Sequence, residues 1–494
     1  MSKDLFSKIK GLSFQTTLLN SIEAVLAWDQ ETFLPKEAIT ARSEQLTLLA
    51  GLIHKQRNSS VFKKGIEKLS QDKEADLAKR ACLREWKREL DQAVKLPSSF
   101  IKKFTKTTSQ AIHVWAKAKQ KKDFSLFHPY LKQVIALSQK KANFLGYKEH
   151  PYDALLDLYE PGLTVAILTP MFETLKNSLL DLLQKIQTKP LPSLSSLGSY
   201  AEETQMALGR ELLQTLGFSA EKSRLDQSSH PFCTGIHPDD IRMTTRIHLD
   251  NPIYSISSVL HEGGHGLYHT NLPKEHYGTP LCEAISYSID ESQSRLFETI
   301  IGKGISFWSF FYPKLQKAFP KELSNLPFQD FYAIVNAVQP SMIRVDADEV
   351  TYCLHIILRF ELEKGLIDGS FQAKDIPKLW NAKMQELFSI TPTHDGEGCL
   401  QDIHWAMGGF GYFPTYALGN LLAAQLFATI EKKHPTIQTD LSNGDFSTLT
   451  TWLKENIHKH GKLYTAKELI EKVTGKELGV DDYLKYLTNK YKSL

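Results

Sequence analysis

The sequence predicts a mainly α-helical protein with a small β-element set against one functional helix. Three observations lead there. Apolar residues recur at three-to-four spacing along most of the chain, the signature of helices with one buried face. One stretch, Ile241–His248, is instead rich in β-branched residues and alternates in character, as a strand does. Asn251-Pro252 follows at once and reads as a helix start, with Asn as N-cap and Pro at the first helical position, where its missing N–H is harmless.

Taken in order, the helical periodicity is clear at Ile22, Leu26, Ala27 and Trp28, at Leu46, Leu48, Leu49, Leu52 and Ile53, and at Leu155, Leu158 and Tyr159. The segment Thr188–Ser199 is rich in Pro, Ser and Gly and reads as a linker. It suggests lobes of 1–190 and 200–494 within a single domain spanning 1–494. The strand then leads into a helix predicted from about Pro252 to His269. No internal repeat or low-complexity tract is evident.

Composition excludes several classes of function. With 59 Lys and Arg against 56 acidic residues, the net charge of +3 gives no general case for nucleic acid or a membrane surface. The basic run Lys119–Lys122 reads as a solvated helix face. The apolar run Leu418–Ile430 is broken by Gly419, Asn420 and Gln425 and is shorter than the roughly 20 residues a bilayer needs. The N-terminus lacks an apolar signal core, so a cytoplasmic protein is expected. Cys82, Cys233, Cys282, Cys353 and Cys399 are scattered without a C-x-x-C pair, which predicts neither a disulfide framework nor a thiolate zinc site.

The chemistry is carried by His261-Glu262-Gly263-Gly264-His265. Four residues of separation put both imidazoles on one helix face, where they can share an ion. Glu262, rotated by about 100°, is placed to act on a water as general base. In a chain with 17 histidines, H-E-x-x-H arises by chance about 0.03 times, so the motif informs without deciding. Gly263, Gly264 and Gly266 each cost a helix about 1 kcal/mol relative to alanine, which points to close approach by a substrate backbone or another helix.

A catalytic zinc takes three protein ligands and keeps one position open. The metzincin pattern fails, because it needs Gly at Tyr268 and His at Asn271. Short glutamate spacings fail as well, because they fall on Ala284 or Ile285. The next segment offers Glu283, Glu291 and Glu298. Glu291 is the preferred third ligand, although spacing alone does not decide among them. No G-x-S-x-G elbow or cysteine signature supports a nucleophilic triad.

With Glu291-Ser-Gln-Ser-Arg295 following the H-E-x-G-H helix, the chain resembles the M32 metallocarboxypeptidases. Further motifs agree: His230-Pro231-Phe232, Asp240-Ile-Arg242-Met-Thr244, Ile343-Arg344-Val-Asp-Ala347-Asp348, and Gly398-Cys-Leu-Gln401-Asp402-Ile-His404-Trp405. So do Leu26–Glu31, Arg42–Gln45 and Gly411–Gly419, which extends the likeness over nearly the whole chain. The resemblance implies a large helical fold with a long substrate groove, release of single C-terminal residues with broad specificity, and a homodimer. It makes His261, His265 and Glu291 the ligands of one zinc ion per chain, which cobalt can replace, and Glu262 the acid/base.

Other residues carry two readings each. Arg344 could clamp a substrate carboxylate through paired hydrogen bonds or form a salt bridge with Asp346 or Asp348. Arg242 is expected to pair with Asp240, a structural role. His230 and His404 could touch substrate, orient ligands or simply sit in the core. Tyr416, preferred over Tyr412, could stabilise an oxyanion or serve packing. One departure stands out: Asp290 occupies the position where the family pattern H-E-S/G-Q has histidine. The alternatives are a thimet-type oligopeptidase and a metal-binding homologue with impaired catalysis.

Overall fold

The computed structural model describes residues 2–72, 75–186 and 193–493. Helices dominate, as predicted. Those that frame the site are α1 (Ser2–Thr32), α2 (Ile39–Arg57), α3 (Ser98–Lys121), α4 (Glu202–Thr215), α5 (Pro252–Thr270), α6 (Tyr287–Arg295), α7 (Tyr352–Asp368) and α8 (Pro414–Lys433).

The first two predicted periodic stretches lie in α1 and α2. The third does not form a long helix: Asp153–Leu156 makes one turn, and Leu158 and Tyr159 fall beyond it. Pro161-Gly162 follows, and a proline biases the residue before it away from helical geometry. Of the predicted linker, residues 188–192 and the lobe boundary at 190 lie outside the described residues, and Leu194–Ser196 forms a single 3₁₀ turn.

The β-element has three strands, β1 (Ser223–Gln227), β2 (Cys233–His237) and β3 (Asp240–Thr245), in the order β1-β3-β2. β3 is central, parallel to β1 and antiparallel to β2. It is shorter than the predicted Ile241–His248, because beyond Thr245 no strand among the described residues continues the ladder and the chain turns toward the cap of α5. Register places Arg224 directly beside Arg242. Each guanidinium is neutralised by an aspartate two positions along its own strand, Asp226 and Asp240, at 2.6 and 3.0 Å. Both then stack on Trp28 of α1, at 4.8 and 4.4 Å from the ring centre. This clamp fastens α1 to the sheet.

One hydrophobic cluster runs from Ala111 to Leu487 and contains much of α7 and α8, which are apolar on nearly every face. The apolar run Leu418–Ile430 is therefore core, and no helix among the described residues is long and apolar enough to cross a membrane. A smaller cluster, including Ile9, Phe62, Ile66 and Trp86, sits beneath the N-terminal helices.

Candidate metal centre

Helix α5 begins as predicted, with the Asn251 side chain accepting from the Ile253 N–H at 3.0 Å. Its glycines allow it to be enclosed. A Cβ on Gly264 would lie 2.4 Å from the carbonyl oxygen of Gln293 in α6, so the two backbones touch there. A Cβ on Gly266 would meet Phe218 and Met243 at 2.9 and 3.0 Å, and one on Gly263 would press on Leu213 of α4 and on Leu216 at 3.3 Å. Of the two reasons the sequence offered for these glycines, close approach of another helix is the one seen at Gly264.

That contact sets the site. His261 and His265 stand one turn apart with ring centres separated by 5.2 Å. Helix α6 is capped by Ser286, whose hydroxyl accepts from the Ile289 N–H, and buried Glu160 accepts from the Ser288 N–H. It delivers Glu291 beneath the histidines. Gly419 of α8 leaves room for that carboxylate, since a Cβ there would lie 2.6 Å from Cγ of Glu291. One ligand atom from each of His261, His265 and Glu291 lies within 4.8 Å of the others. Bonds of about 2.0–2.2 Å to one ion would close that gap with shifts of about an ångström or less.

The outer nitrogen of each imidazole is tied back. His261 Nδ1 donates to Oε2 of Glu298 at 2.8 Å, and His265 Nδ1 donates to Oδ1 of Asp290 at 2.9 Å. Burial would raise both carboxyls. Arg295 and His261 nevertheless hold Glu298 down at about 2, and His265 with His269 keeps Asp290 well below the carboxylate range. Ionised carboxylates only accept, so Nδ1 carries the hydrogen and Nε2 is the nitrogen that can face an ion. The donor set of two imidazoles and one carboxylate, with the remaining nitrogens fixed by carboxylates, fits a divalent zinc-like ion. Burial would lower both histidine pKa values, but Glu291 and Glu298 around His261, and Asp290 and Glu291 around His265, raise them. The pocket is thus strongly attractive to cations. Glu262 is 5% exposed, and burial raises its carboxyl while His261 and His265 partly offset the shift.

A second cluster adjoins the first. Arg344 donates through Nη2 to Oδ1 of Asp402 at 2.9 Å and through Nη1 to the Tyr352 hydroxyl at 3.0 Å. Its partner is Asp402, and neither Asp346 nor Asp348 takes that role. Arg359, fully buried, shares the same carboxylate at 2.7 Å and bonds Gln401. Two guanidiniums on one carboxylate leave net positive charge, and they draw the Asp402 carboxyl far down against its burial. Tyr352 joins the clusters, its ring lying 4.5 Å under Arg295.

The loop bearing Asp402 is pinned from α3. Trp115 donates to the Leu400 carbonyl at 2.9 Å and Lys119 to the Gln401 carbonyl at 2.8 Å, so the basic run there includes a structural contact. Tyr416 stacks on Arg344 at 5.0 Å and its hydroxyl lies 3.3 Å from His404 Nε2. Burial pushes His404 down to about 4, so it is neutral near pH 7. Partial burial, Arg344 and His261 together lower His230, which stands at the exposed rim. Arg242 belongs to the Trp28 clamp and to neither cluster.

Two functional supports escaped sequence reasoning. The sequence offers Glu298 only as a candidate ligand, yet its carboxylate holds the ring of His261. Glu363 is fully buried and accepts from Tyr152, from Trp405 at 2.8 Å and from the Gly411 N–H at 2.9 Å, anchoring the turn that leads to Tyr416. Its available signal was Arg359 and Glu363 four residues apart inside an apolar run.

The model of the carboxypeptidase Taq (M32) metallopeptidases matches residues 8–491. The chain is 38% identical to carboxypeptidase 1 of Bacillus subtilis, covering 100% of this chain and 98% of that one. It is 39% identical to thermostable carboxypeptidase 1 of Thermus thermophilus, with 98% of each covered. Among solved structures, the M32 carboxypeptidase of Deinococcus radiodurans superposes with a TM-score of 0.96 at 33% identity, covering 99% of each chain. The Pyrococcus furiosus carboxypeptidase does so with a TM-score of 0.96 at 37% identity and the same coverage.

Proposed function

The chain belongs to the carboxypeptidase Taq (M32) family and is a metallocarboxypeptidase, a hydrolase of peptide bonds; from that premise we propose that it releases single C-terminal residues, with His261, His265 and Glu291 holding zinc and Glu262 as general base. The observation that carries the reading is the convergence of those three side chains with each histidine's Nδ1 already occupied by a carboxylate. A bound zinc ion, or cobalt in its place, supplies Lewis-acid activation of the water and of the scissile carbonyl.

The protein's own residues do the rest. Glu262 takes the proton of the attacking water and returns it to the leaving amine. Its raised pKa makes it a stronger base toward that water than an ordinary carboxylate. Arg344, backed by Arg359, recognises the substrate's terminal carboxylate, a group common to all peptides, which accounts for broad specificity. The Tyr416 hydroxyl is the donor aimed at the developing oxyanion, with neutral His404 holding it. His230 contacts substrate from the rim of a long groove. Arg242 contributes through the placement of α1. We place the enzyme, as one domain over 1–494, in the cytoplasm, where its five free cysteines stay reduced, and we propose a homodimer from the family resemblance.

A time course of peptide digestion followed by mass spectrometry tests the activity. A ladder shortened from the C-terminus, abolished by chelator and restored by zinc, is expected. Two large internal fragments would establish an oligopeptidase instead, and turnover indifferent to chelator would remove the metal from the mechanism.

A further inference from the structure

Two groupings around the candidate ligands have the same form. His261 is held by Glu298, and Glu298 is held in turn by Arg295, whose Nη1 donates to the same oxygen at 2.5 Å. On the other side His265 Nδ1 donates to Oδ1 of Asp290 at 2.9 Å, and the second oxygen, Oδ2, lies 3.5 Å from Nε2 of His269. His269 stands one helical turn beyond His265 on α5. Asp290 and Glu291, adjacent on α6, address the two nitrogens of one imidazole: Asp290 takes Nδ1, and Glu291 Oε2 is 3.7 Å from Nε2.

The far side of His269 is closed by β2. A Cβ on Gly235 would lie 2.8–2.9 Å from its ring and Cβ, so the strand backbone rests on the imidazole and keeps it turned toward Asp290. A carboxylate offers one anionic oxygen to each of the two neighbouring rings.

We propose that Asp290 and His269 form a positioning pair for His265, in which the Asp290 carboxylate fixes the ring with Nε2 toward the metal and His269 steadies the carboxylate. The inference rests on the reading that His261, His265 and Glu291 hold the ion.

Metal binding by the full-length protein tests it independently of turnover. The chelator-stripped protein is titrated with Zn²⁺ alone, in competition with a chromophoric chelator, and the Co²⁺ form is followed by its visible absorption. Loss of an outer carboxylate of this kind weakens metal affinity about 10–100-fold. Asp290→Ala should fall in that range with an altered Co²⁺ spectrum, while its circular-dichroism spectrum stays that of the folded helical protein. His269→Gln should weaken Zn²⁺ about threefold or more, and should add nothing once Asp290 has been replaced. Should Asp290→Ala fail to fold, His269→Gln decides alone. Affinities within twofold of wild type overturn the pairing while leaving the metal centre standing. Wild-type protein that takes up no Zn²⁺ overturns the centre itself, and the pairing with it.

Discussion

Glu262 sits on the buried flank of α5, and the physical consequence is a carboxyl that holds its proton more tightly than an exposed glutamate. Only the ionised form can accept a proton from water. Activity should therefore fall as pH drops through that raised pKa, placing the acidic limb higher than an ordinary glutamate would. Glu262→Gln should keep Zn²⁺ affinity and thermal stability, because the amide removes a buried charge without changing shape. It should lower kcat by about 10²–10⁴-fold, the usual scale for a general base. Initial rates on a short peptide check this, and a wild-type rate would reassign the base. The sequence made His261, Glu262 and His265 legible because their chemistry follows from spacing on one helix. It could not reveal that Glu298 and Asp290 orient the histidines, since those bonds join residues 37 and 25 positions apart on another helix. Arg344 pairs with Asp402, 58 positions away, where the sequence points to the nearer Asp346 and Asp348.

At the scale of elements, the close crossing of α5 and α6 decides whether the three candidate ligands meet. Gly264→Ala would set a methyl 2.4 Å from a backbone oxygen that cannot swing aside. Forcing the helices apart should cost about 1–3 kcal/mol, the usual range for overpacking, and should weaken Zn²⁺ by moving Glu291 away from the histidines. Gly263→Ala is the contrasting case. Its neighbours at 3.3 Å are Leu213 and Leu216 side chains, which can give, and alanine favours the helix by about 1 kcal/mol, so near-wild-type stability is expected. Thermal melts and Zn²⁺ titration of both variants separate the two outcomes. Helix α5 was readable because its cap is local chemistry. The strands β1 and β2 were not, because Ser223–Gln227 has little β-propensity and is held by pairing with β3. The run at Leu155–Tyr159 misled for the converse reason: its apolar spacing serves the core from one helical turn and the irregular chain that follows it.

At the scale of the whole molecule, the two clusters come from distant stretches, residues 261–298 and 344–416, brought together where α6 and α8 pack and where Tyr352 lies between Arg295 and Arg344. Sedimentation equilibrium should give twice the chain mass of 56.1 kDa, and a mass of one chain would remove the proposed homodimer. By itself, the sequence determined the helical class, the family, the H-E-x-x-H helix with its cap, and the residue types able to bind a metal, because each depends on short-range periodicity or on contiguous motifs. The tertiary structure alone decided which groups turn toward those residues. It gave Asp290 to His265 and Glu298 to His261, joined Arg344 and Arg359 through Asp402, and set Arg242 to fastening α1, because contacts between side chains far apart in the chain exist only once the backbone has closed around them.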